Sequence, residues 1–435
     1  MKSSSVMRKA AAARIVAAFL LLGTVAACVS TPQDGRRLEW HRHAWDAAWG
    51  PAESGRTDSY ALFTPRGGHR RHAPLLVALH ARCAGVRFCG GAKWTVRHVM
   101  DGEPNVCQAP DDFYILCVDC MEHRETDFWW CDLPCLAGPR RADCARLVVA
   151  SSTERRVMAE IEEVISRCGI DRDRVYIAGN SMGGQGALAY ALAHPDVFAA
   201  ACGNVSATVW FPLSRAGLVD ARGDIRADAS LPSEGTSWLP PDPPYCLEWS
   251  GSDDAWSRDH EYLYHAFAAN RFPLVGIWGD YGHCLSIDKA RSRNPLVGTF
   301  DWLSLRRCEC YPVFTHASTD AELPWPASGA GRAALPCGQV NAYFRWRVLK
   351  DAGDEVSVEL RLATAGELGV SAVPSFATTD VTLRRIQCRS KRPGAKAVWR
   401  YGGAGGEAVA DGAGLFTFRE LPVTAVPETL TLRFY

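Results

Sequence analysis

The stretch "RVYIAGNSMGGQGALAYALAHP", residues 174–195, constrains the fold more than any other part of the chain. Val175 to Ala178 are apolar without alternation, which suits a strand covered on both faces. Gly184 to His194 read as a helix stopped by Pro195. Between them stands Ser181, flanked by Gly179 and Gly183 in a G-x-S-x-G pattern. A strand that passes so abruptly into a helix needs a strained backbone at the turn, and flanking glycines leave room for it. The helix then points its first N–H groups, and the positive end of its dipole, at whatever reacts above Ser181.

The rest of residues 57–307 repeats the same alternation. "SYALFTP", "APLLVALH" and "DDFYILCVDC" read as strands before the elbow. "FAAACGNVSA", "YCLEWSG" and "PLVGIWGDYGH" follow it. In "TERRVMAEIEEVISRC", Val157, Ile161, Val164 and Ile165 form a helical stripe. "SRDHEYLYHAFAANR" and "NPLVGTFDWLSLRR" are further helix-like segments. Strands alternating with helices predict a mostly parallel, doubly wound α/β sheet. Residues 207–244, rich in Pro, Gly, Ser and Asp, read as an insertion at its rim.

Past Arg307 the character changes. Residues 308–338 hold Cys308, Cys310, Cys337 and four prolines without periodicity, and read as a cysteine-containing connector. Residues 339–435 carry only period-two runs, among them "DEVSVELRLAT" and "TLTLRFY", separated by Gly or Pro turns. These predict a small all-β, sandwich-like domain. Its Trp346, Trp399 and Tyr401 are expected to serve packing rather than carbohydrate binding. At 435 residues, one large domain with a smaller companion is the expected size class. A formal net charge of zero argues against a nucleic-acid partner, which normally meets a basic excess.

Residues 1–27 read as a targeting segment. Lys2, Arg8, Lys9 and Arg14 precede an apolar run from Ile15 to Val25, shorter than the roughly 20 residues a membrane span needs. "VAAC", ending at Cys28, resembles the lipobox of bacterial lipoproteins. That resemblance implies cleavage before Cys28, lipid modification of its thiol, and export to a membrane face toward the periplasm or cell exterior. An ordinary secretory signal with an incidental Cys28 is the alternative. Residues 28–56 are then an N-terminal extension. Of the 17 cysteines, those other than Cys28 are expected to form disulfides in an oxidising compartment. Cys117, Cys120, Cys131 and Cys135 also have a zinc-like spacing, but export favours oxidation over metal, and neither a metal nor a cofactor is expected.

A serine hydroxyl attacks only with a base beside it and an acid to orient that base. Both candidates lie at later strand ends, where open α/β sheets build their sites. "LEWSGSDDAW" ends a strand with Asp253 and Asp254, and "VGIWGDYGHC" ends the next with His283. The spacing from Gly251 favours Asp254 as the acid, with Asp253 as the alternative and Asp280 the weakest of the three. Oxyanion donors are expected from the backbone N–H groups of Met182 and of Arg82, in "LHARCAG".

Together, "PLLVALH", the Ser181 elbow, the "GSDD" loop and "GDYGHC" resemble the secreted α/β-hydrolase esterases of the polyhydroxybutyrate depolymerase and feruloyl or acetylxylan esterase kind. The likeness spans residues 57–307. It implies hydrolysis of carboxylic esters, on polysaccharides or a polyester, by Ser181, His283 and Asp254. Those enzymes usually have His-Gly before the oxyanion loop, whereas Ala81 follows His80 here. A serine peptidase of prolyl-oligopeptidase type and a non-catalytic lipoprotein binding module are the competing classes. Trp129, Trp130 and Trp210 are candidate walls for a substrate ring, while Arg140 and Arg141 read as a solvated basic face.

Overall fold

The computed structural model describes residues 29–30, 35–46, 48, 55–82, 92–102, 104–120, 128–130, 138–227, 229, 240–325 and 337–435. Its first nine strands are β1 (Val29–Ser30), β2 (Leu38–Ala44), β3 (Thr57–Phe63), β4 (Leu75–Leu79), β5 (Tyr114–Val118), β6 (Val175–Asn180), β7 (Ala200–Asn204), β8 (Tyr245–Gly251) and β9 (Leu274–Gly279). They form one sheet in the order β1-β2-β3-β5-β4-β6-β7-β8-β9. From β5 through β9 every pairing is parallel, and the β1-β2-β3 edge runs antiparallel.

Alternation within the strands builds two cores. Leu75, Val77 and Leu79 of β4, with Val175 and Ile177 of β6, face one side. Leu76 and Ala78, with Tyr176 and Ala178, face the other. The helices of the fold are α1 (Ala92–Met100), α2 (Cys144–Leu147), α3 (Ser152–Cys168), α4 (Met182–Ala193), α5 (Trp210–Arg215), α6 (His260–Asn270), α7 (Ile287–Arg293) and α8 (Ala365–Leu368). The stripe Val157, Ile161, Val164 and Ile165 of α3 covers the first face together with α4 and α6. Val96 and Val99 of α1 cover the second. Ser151 caps α3 by accepting from Glu154 N, and Gly169 ends it in the left-handed region at φ 63°. Strand order reverses between β4, which leads to β5, and β6, which lies on its other side. The crevice at this switch point is where such sheets bind ligands.

Beyond the sheet, β10 (Tyr311–Thr315), β14 (Phe376–Arg384) and β17 (Phe416–Thr424) form a three-stranded antiparallel layer. A five-stranded layer contains β12 (Phe344–Ala352), β13 (Glu355–Leu362), β18 (Glu428–Phe434), β15 (Lys396–Tyr401) and β16 (Ala404–Val409) in that order. Their shared core includes Phe344, Val358, Leu360, Val381, Phe418 and Leu430. Segment 308–338 is more than a connector. It supplies β10 to this domain, and it begins β11 (Cys337–Val340), which pairs antiparallel with β9 at the far edge of the large sheet. Both strands are too short to show a period in sequence. Trp346 stacks on Tyr245 at the seam, with ring centroids 5.0 Å apart, and Tyr401 is buried.

The cysteines depart from expectation. No disulfide joins two of the described cysteines. Cys117, Cys202 and Cys246 sit on β5, β7 and β8 inside the sheet cores, so their spacing reflects small apolar strand residues instead of bridges. Burial raises these thiols well above their ordinary range and takes Cys107 to about 12. Cys28, Cys83, Cys89, Cys131 and Cys135 lie outside the described residues. Among the described residues, no group of three or more His, Cys, Asp or Glu side chains is arranged to hold a metal.

Candidate active site

Ser181 links β6 to α4 with φ 56° and ψ −117°, a strained backbone for a residue with a side chain. Two hydrogen bonds pin the elbow to the end of β7 and the loop after it. Ser181 N donates to Asn204 O at 2.8 Å, and Ala207 N donates to Ser181 O at 3.1 Å. The glycines of the motif are required sterically. A Cβ on Gly179 would run into the backbone of Gly183, and one on Gly183 would strike the Leu79 carbonyl oxygen. Close approach of α4 to β4 is therefore built on Gly183, and it brings the loop after β4 alongside the N-terminus of α4.

Two other strand ends complete the arrangement. His283, in the loop after β9, accepts from Ser181 Oγ at Nε2 over 2.8 Å. Its Nδ1–H donates to Asp254 Oδ2 over 2.6 Å. Asp254 follows β8, and its other oxygen accepts from Trp256 N at 3.0 Å, so the carboxylate is fixed from both sides. The Asp254 side chain is only 3% exposed, against 34% for His283. The imidazole is thus the part of the chain open to solvent. Asp253 points elsewhere and accepts from Gly282 N at 2.8 Å, bracing the loop that carries His283. Gly282 itself takes φ 59° there.

The loop after β4, where an oxyanion donor is expected, is anchored through His80. His80 is buried, accepts from Cys120 N at Nε2 (3.2 Å) and donates from Nδ1 to Ala81 O (3.0 Å). Ala81 has no positive φ, so a Cβ is tolerated where the resembling enzymes have glycine. The guanidinium of Arg82 lies 5.2 Å from the Phe128 ring centroid. The N–H of Met182 opens α4, where helix N–H groups lack intrahelical acceptors.

The three tryptophans do not line a substrate wall. Trp129 is fully buried, donates from Nε1 to His80 O at 3.0 Å, and packs against Tyr190. Trp130 is 3% exposed and stacks on Phe128 at 5.0 Å. Trp210 donates to Asp259 at 2.9 Å and is equally buried. Their apolar area is more stabilising inside than in a solvated rim, and each polar edge except that of Trp130 finds an acceptor. Arg140 is exposed, and Arg141 keeps a side chain 41% exposed while it pairs with Asp224 and lies over the rings of Trp210 and Tyr262.

Two features had no sequence signal of their own. Trp256, 39% exposed, sets its ring 6.4 Å from that of His283 and forms an apolar rim beside it. Its position two residues after Asp254 was the available hint. Beneath the site, His260 is wholly buried. It donates to the carbonyl of Ser206 at 3.2 Å and lies 3.2 Å from Glu248, which itself accepts from Tyr264. Burial opposes its charged form, yet Glu248 holds the imidazole above its ordinary pKa. This cluster ties β8, which leads to Asp254, to the loop that pins Ser181.

The Esterase family model matches residues 148–292, the segment containing Ser181, Asp254 and His283. No curated protein matches the chain. Among solved structures, a thermostable esterase is 18% identical, with 58% of this chain and 54% of the other covered and a TM-score of 0.37. An S-formylglutathione hydrolase from Agrobacterium tumefaciens is 16% identical over 61% of this chain and 93% of its own, at a TM-score of 0.36. A ferulic acid esterase is 15% identical over 59% and 94%, at 0.37. The chain spans about half the length of the first of these. The matched segment holds the whole hydrogen-bonded set Ser181, His283 and Asp254, at the carboxyl ends of strands of a mostly parallel α/β sheet.

Proposed function

We propose that the protein is an extracytoplasmic, lipid-anchored esterase that cleaves acyl or aromatic esters of a polysaccharide, or a polyester, through an acyl-enzyme on Ser181. The carrying observation is the continuous hydrogen-bonded chain Ser181–His283–Asp254 on the strained elbow. His283 Nε2 takes the Ser181 proton as Oγ attacks the ester carbonyl carbon. The resulting oxyanion is met by the N–H groups of Met182 and Arg82. His283 then passes its proton to the leaving alkoxide, and the alcohol departs. Water repeats the attack on the acyl-enzyme with His283 as base, releasing the acid and restoring Ser181. Asp254 holds Nδ1–H throughout, so that Nε2 stays free to accept.

The Trp256 rim supports a preference for acyl or aryl groups with an apolar face. Location rests on the sequence before residue 29 and on Cys28, both outside the described residues. Ser181→Ala is expected to abolish p-nitrophenyl acetate turnover and fluorophosphonate labelling while circular dichroism stays unchanged; retained turnover would overturn the reading. A panel of acetyl, feruloyl, hydroxybutyrate, long-chain and peptide substrates names the class. Within it, Trp256→Ala should raise KM for feruloyl esters more than for acetyl esters. Labelled fatty acid should enter the wild type and not Cys28→Ser.

A further inference from the structure

The zero net charge of the chain conceals a local segregation. A cleft of about 630 Å³ opens in the C-terminal β domain, between the end of β14 and the start of β15. Six cationic side chains line it, Arg384, Arg385, Arg389, Lys391, Arg392 and Lys396, against one lining acidic side chain, Asp242. The ester-cleaving residues lie at the strand ends of the other domain and use none of them.

The inner cations are already committed. Asp242 takes Arg384 at 2.9 Å and Lys391 at 3.3 Å. Arg384 also donates to the carbonyls of Asn270 and Arg271. Arg385 is 7% exposed and donates from Nη2 to the Pro195 and Phe198 carbonyls. Its Nη1 is buried with no hydrogen-bond partner. The outer cations differ. Arg389, Arg392 and Lys396 are exposed at the cleft, and no described carboxylate pairs with any of them, although Arg389 lies over the Phe434 ring at 5.8 Å from its centroid. Like charges gathered around one concavity repel each other, and an anion entering it relieves that repulsion. Arginine forks suit carboxylates and phosphates alike. Tyr435, 66% exposed, lines the same cleft with its hydroxyl donating to Glu407 at 3.1 Å, and Leu383, Phe416 and Phe434 give an apolar floor.

We propose that this cleft binds a short acidic saccharide, with Arg389, Arg392 and Lys396 taking its carboxylates and Tyr435 backing a sugar ring. A volume of this size matches small-molecule pockets, and a concave site admits a chain end better than a flat membrane surface. The choice of a sugar over other anions rests on the proposed action at polysaccharide esters. The cleft would then hold an acidic chain while the other domain cleaves esters along it.

The test is calorimetric titration of the full chain with a hexameric oligogalacturonate at low salt. Wild type is expected to bind it and to ignore a neutral xylo-oligosaccharide of equal length. Arg389→Ala/Arg392→Ala/Lys396→Ala should weaken binding at least about tenfold, because charge-assisted hydrogen bonds are lost. Its p-nitrophenyl acetate turnover should not change. No oligogalacturonate binding, equal binding of the neutral chain, or a triple variant that binds like wild type each overturn the proposal. Binding only to phosphatidylglycerol vesicles would assign the cleft to a lipid surface and overturn it as well. Loss of ester turnover in wild type with saccharide binding intact would sink the esterase reading alone.

Discussion

Replacing Asp254 by Asn tests the arrangement at its most specific point. The carboxylate is 3% exposed and joins His283 Nδ1 at 2.6 Å to Trp256 N at 3.0 Å. Asn is nearly the same shape and keeps one oxygen for Trp256 N. Its NH2 then faces His283 Nδ1, which must accept instead of donate. The proton moves to Nε2, and the nitrogen 2.8 Å from Ser181 Oγ can no longer take the serine proton. In a well-studied serine protease the equivalent change lowers kcat by about 10⁴, roughly 5.5 kcal/mol of barrier. A loss of that order is expected here, with KM little changed and the thermal midpoint within a few degrees. Asp253→Asn is the control. Its side chain only accepts from Gly282 N, and an Asn oxygen replaces that acceptor, so kcat should fall less than about tenfold. Both variants are assayed with p-nitrophenyl acetate under saturating substrate. Equal losses at 253 and 254, or an Asp254→Asn enzyme within tenfold of wild type, would refute the tautomer argument.

Gly183→Ala drives a methyl into the Leu79 and His80 carbonyls; it should cost about 1–3 kcal/mol in urea unfolding and disable the elbow, whereas Gly366→Ala, with open space around it, should be near neutral. Mass spectrometry of unreduced protein alkylated in guanidinium should find Cys107, Cys117, Cys202 and Cys246 as thiols that iodoacetamide misses in the native state; a bridged pair among them would refute their placement. Burial raises the Asp320 carboxyl from 3.8 to about 7, so the folded state holds a proton that the unfolded state has lost. Stability should therefore fall as pH rises from about 4 to 7 and level off above, by on the order of a few kcal/mol. Asp320→Asn keeps the acceptor for Asn341 N and should flatten that slope; an unchanged slope in chemical denaturation would refute it.

The local features were legible because they are written in adjacent residues. Strand, elbow and helix around Ser181 follow from an apolar run, two glycines and a stopping proline. Period-two runs after residue 339 likewise announced the β domain, and strand ends announced His283. What sequence left open were matters decided by contacts between distant segments. Which aspartate reaches His283 depends on the turn after β8, which swings Asp253 toward Gly282 and Asp254 toward the imidazole, 29 positions away in the chain. Trp129, Trp130 and Trp210 read equally well as a binding wall or as core, because a large apolar ring suits both, and only packing against α4, Phe128 and Tyr262 buried them. The cysteines on β5, β7 and β8 and the pairing of β11 with β9 were hidden for the same reason. Residue type sets backbone preference and hydrophobicity locally, but side-chain partners are chosen when the sheet closes, as in the 102-residue separation between Ser181 and His283.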